Sequence, residues 1–167
     1  MTQDFDAVFS EYSGLLSRVA SAYEANDALR QELLQDIAVA VWQGLARFNG
    51  NASLKTYILK IAHNRGVSHV ATQVRHQQVT VNDALTADAP DLSASPEQAS
   101  VHSQALDALL MAVRDLPLPQ RQVLTLSLEG LSYDEIATVC GINKNHVGVL
   151  LNRAKAAVTG GKTYDEA

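Results

Sequence analysis

The sequence holds a single cysteine, Cys140, in 167 residues. That excludes an internal disulfide and any cysteine-rich zinc site. There is no run of eighteen apolar residues, so no helical membrane span is expected. The N-terminus, Met1-Thr2-Gln3-Asp4-Phe5-Asp6, lacks the basic-then-apolar order of a signal peptide. The expectation is a soluble, cytoplasmic protein without membrane insertion. His63, His69, His76, His102 and His146 show no paired ligand spacing on one clear helix face, so neither a metal nor a cofactor is expected. A glycine-rich phosphate loop and a nucleophile motif are both missing. The carboxylate pairs Asp4/Asp6 and Asp134/Glu135 read as an N-terminal tail and a first-turn helix pair. The composition therefore points away from an enzyme.

Basic residues are scarce overall, and the net charge is −5. A negative chain is a poor general ligand for nucleic acid, because phosphate neutralisation needs Lys and Arg. The distribution overrides the sum. Residues 48–80 carry Lys55, Lys60, Arg65 and Arg75 with no acid, and residues 143–162 carry Lys144, Arg153, Lys155 and Lys162 with no acid. Between them, residues 81–100 carry Asp83, Asp88, Asp91 and Glu97 with no base. One such basic stretch is ordinarily a solvated helix face; two, set in acidic surroundings, favour nucleic acid.

The apolar pattern is helical throughout. Phe5, Val8, Phe9, Tyr12, Leu15, Leu16, Val19 and Tyr23 mark a first amphipathic helix. A second runs from about Asp27 to Arg47, with Leu33, Ile37, Val41 and Leu45 on one stripe. Phe48-Asn49-Gly50-Asn51-Ala52 breaks the period as a loop. Ser53 is placed to cap a third helix, with Leu54, Ile58 and Ile61 inward, continuing to about Arg75. Residues 77–100, rich in Asp, Ala, Ser and Thr with Pro90 and Pro96, read as a flexible acidic linker. Helical spacing resumes at Val101, Leu106, Leu109, Leu110, Val113 and Leu116, stops at Pro117, and restarts at Pro119 with Val123, Leu124, Leu126 and Leu128.

Leu131-Ser132-Tyr133-Asp134-Glu135-Ile136 is a capping box, with Ser132 as cap and Glu135 reaching back. Gly141 supplies a left-handed exit after Cys140, Asn143 caps again, and a last helix carries Val147, Leu151, Ala154 and Val158 on one side. A short helix, a glycine turn and a longer helix form a helix-turn-helix. A plain helical hairpin has the same outline, but the acid-free second helix favours DNA. In this motif the N-terminal residues of the second helix meet base edges in the major groove. Here they are Asn143, Lys144, Asn145 and His146. Asn pairs bidentately with adenine and Lys donates to guanine or phosphate. Asn152, Arg153 and Lys155 are placed for backbone contacts, and Gly148 lets the helix approach closely. Cys140 reads as a small core residue.

The residues from Leu116-Pro117-Leu118-Pro119-Gln120-Arg121 through Glu129-Gly130-Leu131-Ser132-Tyr133-Asp134-Glu135-Ile136-Ala137 to Asn152-Arg153-Ala154-Lys155 resemble the C-terminal domain of extracytoplasmic-function (ECF) RNA polymerase sigma factors of the sigma-70 superfamily. Glu32-Leu33-Leu34-Gln35-Asp36-Ile37 with Trp42 is similar to that family's polymerase-binding helix. Phe48 to Ile58, followed by Ile61-Ala62-His63-Asn64, is similar to its promoter-melting segment.

The resemblance implies an all-α protein of two small helical domains, residues 1–76 and 101–162, joined by the linker 77–100. It implies that Glu32, Leu33, Gln35, Asp36 and Trp42 bind the clamp coiled coil of the β′ subunit of core RNA polymerase. Asn49, Gly50, Asn51 and Ser53 would receive a base flipped from the −10 element, and Lys55, Tyr57, Lys60, His63, Asn64 and Arg65 would hold the opened strand. Ser132 and Tyr133 would join Asn143–His146, Asn152, Arg153 and Lys155 on the −35 element. The partners implied are core polymerase, promoter DNA and, in some members, an anti-sigma factor. The sequence departs from the family pattern at Leu29-Arg30-Gln31, where further acids are usual, and at Gly148 and Leu150, where Lys and Arg are usual. A stand-alone helix-turn-helix regulator with a helical sensing or dimerising domain is the alternative that the residues alone leave open.

Overall fold

A computed structural model of the chain describes residues 4–83 and 101–160, with side chains over 4–77 and 104–160. Every regular element among them is a helix. α1 (Phe5–Tyr23), α2 (Asp27–Leu45) and α3 (Leu54–Asp83) form the first unit. α4 (Val101–Arg114), α5 (Leu118–Leu128), α6 (Tyr133–Cys140) and α7 (Lys144–Val158) form the second. No helix among the described residues is long and apolar enough to cross a membrane.

The α1 and α2 stripes expected from spacing are the ones that pack, whereas in α3 Ile58 is buried with Leu59 and Ala62 while Leu54 and Ile61 are half-buried. Leu16 and Val19 from α1, Leu33, Ile37 and Val41 from α2, and Ile58, Leu59 and Ala62 from α3 are almost wholly removed from water. Removing each Leu, Ile or Val side chain among them from solvent contributes roughly 1.5–3 kcal/mol. α2 starts where the Asn26 side chain accepts from the Leu29 N–H at 2.9 Å, and α3 where Ser53 Oγ accepts from the Thr56 N–H at 3.1 Å. Gly66 lets α1 and α3 meet: a Cβ there would lie 2.5 Å from Cδ2 of Tyr23. α3 outruns the expected end near Arg75 and reaches Asp83. Residues 76–83 contain neither Pro nor Gly to stop it. The start of the expected linker is thus helical; the rest of it, 84–100, lies outside the described residues.

In the second unit the capping box forms as its sequence demands. Ser132 N–H donates to Glu135 Oε1 at 2.8 Å and Glu135 N–H to Ser132 Oγ at 3.1 Å. Gly141 turns the chain at φ 73°. Val113, Leu116, Val123, Leu126, Ile136, Val147, Leu150, Leu151 and Ala154 make the core. Leu150 is therefore a packing residue. Leu106, Leu109 and Leu128 are exposed despite their helical spacing. They line a cleft of about 490 Å³ against Ala22 of α1.

The two units touch. Arg18 Nε and Nη2 donate to Glu129 Oε2 and Oε1 at 2.7 and 2.9 Å, and Lys55 Nζ donates to the Glu129 carbonyl at 2.6 Å. Arg114 Nε donates to the Ser21 carbonyl at 2.8 Å. Cys140 is half-buried, and burial pushes its thiol up to about 11, which leaves it protonated and unreactive.

Candidate nucleic-acid interface

The loop between α2 and α3 is built to hold its shape while staying open. Gly50 takes φ 84°, and Asn49 Oδ1 accepts from the Asn51 N–H at 3.1 Å, an Asx turn. Asn49, Gly50, Asn51 and Ser53 are exposed. Tyr57 braces the loop from beneath: its hydroxyl donates to the Gly44 carbonyl at 2.6 Å and its ring lies 4.9 Å from that of Phe48. That leaves Tyr57 half-buried. Lys60 and Asn64 point outward one turn apart on α3.

Two of the expected site residues are corrected. His63 does not face a strand: it is fully buried, with Nδ1 and the Tyr23 hydroxyl sharing a 2.6 Å hydrogen bond. Burial drives its imidazole down to about 3, so it is neutral. The α3 spacing that places Asn64 outside turns His63 toward α1. Leu33 likewise belongs to the core, at 1% exposure, one turn before Ile37 on the buried stripe. Asp36 and Arg65, expected on different partners, pair with each other, Arg65 Nη2 and Nε donating to Asp36 at 2.8 and 3.1 Å. Lys55 is turned toward Glu129.

Glu32 and Gln35 are exposed on α2. Trp42 stands 59% exposed beside Val39, and with Gln35, Ala38 and Phe5 these line a shallow apolar depression. Spacing alone does not single out Val39; an apolar residue off the buried stripe of α2 is the available signal.

In the helix-turn-helix, Ser132 and Asn143 serve the backbone first. Asn143 Oδ1 accepts from the His146 N–H at 2.8 Å, and its amide hydrogens, with the hydroxyl hydrogen of Ser132, remain to offer DNA. Lys144 Nζ is 3.7 Å from Asp134 Oδ1, an open contact between two exposed groups. The residue beside Gly148 is Tyr133, whose ring comes within 3.5 Å of where a Cβ would stand. At about 100° per residue, the buried Val147, Leu150, Leu151 and Ala154 take one side of α7. Asn145, Val149, Asn152 and Ala156 take the side opposite, all exposed. Lys144 and Lys155 flank that stripe on one edge, and His146 and Arg153 on the other. A stripe that alternates Asn145 and Asn152 with Val149 and Ala156, bordered by Lys144 and Lys155 on one edge and Arg153 on the other, suits a groove bordered by two phosphate chains.

Comparison with known proteins agrees with this layout. Residues 8–76 match the Sigma-70 region 2 family and residues 106–158 match Sigma-70, region 4. RNA polymerase sigma factor YlaC of Bacillus subtilis is 32% identical over 131 residues, 75% of this chain and 72% of that protein. RNA polymerase sigma-H factor of Pseudomonas aeruginosa is 28% identical, over 92% of this chain and 83% of its own length. The sigma factor RpoE of Bartonella quintana, solved with the anti-sigma factor NepR, shares the fold at a TM-score of 0.75 and 20% identity, covering 98% of this chain and 99% of that one. The chain belongs to the sigma-70 family, as an ECF-type RNA polymerase sigma factor that directs transcription initiation.

Proposed function

We propose a division of labour in which residues 1–76 bind core polymerase and open the −10 element while residues 101–162 read the −35 element as duplex. The observation that carries it is the pairing, in one acidic chain, of an exposed pre-shaped loop at 49–53 with a doubly capped helix-turn-helix whose outer helix has cations on both edges. Trp42 and Val39, with Glu32 and Gln35, form the polymerase-facing surface. Lys60, Asn64 and the loop hold the opened strand. The protein acts in the cytoplasm and is not an enzyme. An anti-sigma partner is supported by analogy, since the similar RpoE was solved in complex with the anti-sigma factor NepR.

Promoter reading then requires the units to part. Elements named −10 and −35 lie about 25 base pairs apart, roughly 85 Å at 3.4 Å per pair. Lys55, beside the melting loop, touches Glu129, four residues before the first helix of the helix-turn-helix. Residues 84–100 reach at most about 60 Å when extended, and the widths of the units supply the remainder. Run-off transcription with purified core polymerase on a genomic promoter library tests the reading. Promoter-dependent transcripts are expected; tight, specific duplex binding without polymerase, and no transcripts with it, would instead mark a stand-alone regulator.

A further inference from the structure

We propose that Val149 reads the 5-methyl group of a thymine in the −35 element. The inference rests on α7 being the −35 helix. Val149 lies on the stripe directly opposite the buried face of α7, one turn after Asn145 and between the two cationic edges. It is 46% exposed, while Val147 and Leu150 on either side of it are buried at 0% and 7%. The core of the second unit therefore does not enclose its side chain. Helix propensity does not account for it either, since a β-branched residue on an exposed helical position is a weaker choice than Ala, Lys or Glu. Gly148 presents no side chain and leaves the branched Val149 group standing free of its N-terminal neighbour.

A valine has no hydrogen bond to offer the groove floor. The major groove carries one apolar mark, the thymine C5-methyl, which separates T from C where both otherwise present one polar group. Contact between that methyl and the valine removes apolar surface of both from water. The geometry also fixes where the thymine lies. One turn of helix rises about 5.4 Å, and base pairs are spaced about 3.4 Å. The thymine read by Val149 is therefore within about two base pairs of the base read by Asn145.

The test uses the full chain with core polymerase and promoter duplexes selected from a pool randomised over the −35 element. Each thymine of the selected element is replaced in turn by uracil, which deletes the methyl and nothing else. One replacement, within two pairs of the position whose preference Asn145→Ala relaxes, is expected to weaken binding about fourfold. Val149→Ala, which favours the helix, is expected to bind the thymine and uracil duplexes equally. Unchanged thermal unfolding of that variant secures the comparison. A −35 preference with no uracil-sensitive thymine, or a uracil penalty that survives Val149→Ala, overturns the inference alone. A pool that yields no −35 preference overturns the reading of α7 and the inference with it.

Discussion

The guanidinium of Arg121 lies 5.6 Å from the ring centroid of Tyr23, so α5 of the second unit closes over a tyrosine whose hydroxyl is already bound to His63 of α3. Tyr23 thereby joins three helices from both units, seated on Gly66. Arg121 is 8% exposed and also donates from Nη2 to the carbonyls of Arg114 and Leu116 at 2.6 and 3.1 Å.

Contacts between the units should therefore differ widely in weight. The Arg18 side chain is 63% exposed in its pair with Glu129, whose side chain is 12% exposed, and a pair open to solvent on its cationic side contributes at most about 1 kcal/mol. Arg18→Ala should leave urea unfolding almost unchanged. Arg121→Ala removes a desolvated cation–π contact and strands two carbonyls, a loss of roughly 2–4 kcal/mol. Small-angle scattering should show a larger radius of gyration for Arg121→Ala than for Arg18→Ala. Equal effects would mean that Tyr23 and Arg121 do not join the units.

His63 gives the fold an acid sensitivity whose sign follows from its surroundings. Its imidazole is held down to about 3 in the folded chain, by burial, against 6.5 when exposed. Below 6.5 the unfolded chain takes up a proton that the folded chain refuses, so stability is full above 6.5 and falls as pH drops toward 3. The slope from this one group approaches about 1.4 kcal/mol per pH unit. Between pH 6 and pH 4 the urea midpoint should fall, and His63→Gln should flatten that part of the curve. An unchanged slope in the variant would place the acid sensitivity elsewhere.

Leu33 and Trp42 both come from one helix and should fail in opposite ways. Leu33→Ala opens a cavity in the first core and should cost about 2–5 kcal/mol of stability. Trp42→Ala removes an exposed ring and should leave stability within about 0.5 kcal/mol, while weakening assembly with core polymerase tenfold or more, as for a central aromatic anchor. Pull-down with core polymerase and chemical denaturation separate the two. Full assembly by Trp42→Ala would remove the exposed α2 face from the polymerase surface.

These contrasts mark what could be read from residues alone. Helical period, the capping box at Ser132 and Glu135, the Asn143 cap and the Gly141 exit are local patterns, and each appears as spelled. The family resemblance added an ordered set of functional segments. What residue type could not convey was direction. His63 sits among Lys60, Asn64 and Arg65 in sequence, yet a rotation of about 100° per residue sends it inward while they face water. The resemblance groups Leu33 with its polar neighbours as a polymerase contact, but its own spacing with Ile37 and Val41 puts it inside. Pairs between distant segments, such as Lys55 with Glu129, depend on tertiary packing and leave no mark in either segment.

The outer helix of the helix-turn-helix offers the sharpest separation of roles. Asn145 lies at the centre of the exposed stripe and Lys155 on its edge, two to three turns further on. A central residue near the N-terminus meets base edges; an edge cation meets phosphate, which carries no sequence information. Asn145→Ala in holoenzyme should therefore cost roughly 1–3 kcal/mol on the preferred −35 sequence and relax preference at one position. Its dependence on salt should stay as it was, because no counterion is involved. Lys155→Ala should weaken every −35 sequence alike and lower the salt slope by about one, the share of a single phosphate contact. Both are measured on randomised −35 sequences at two salt concentrations. Uniform losses with unchanged preference in both variants would show that Asn145 reads no base, and that α7 holds the DNA while specificity resides in the loop at 49–53.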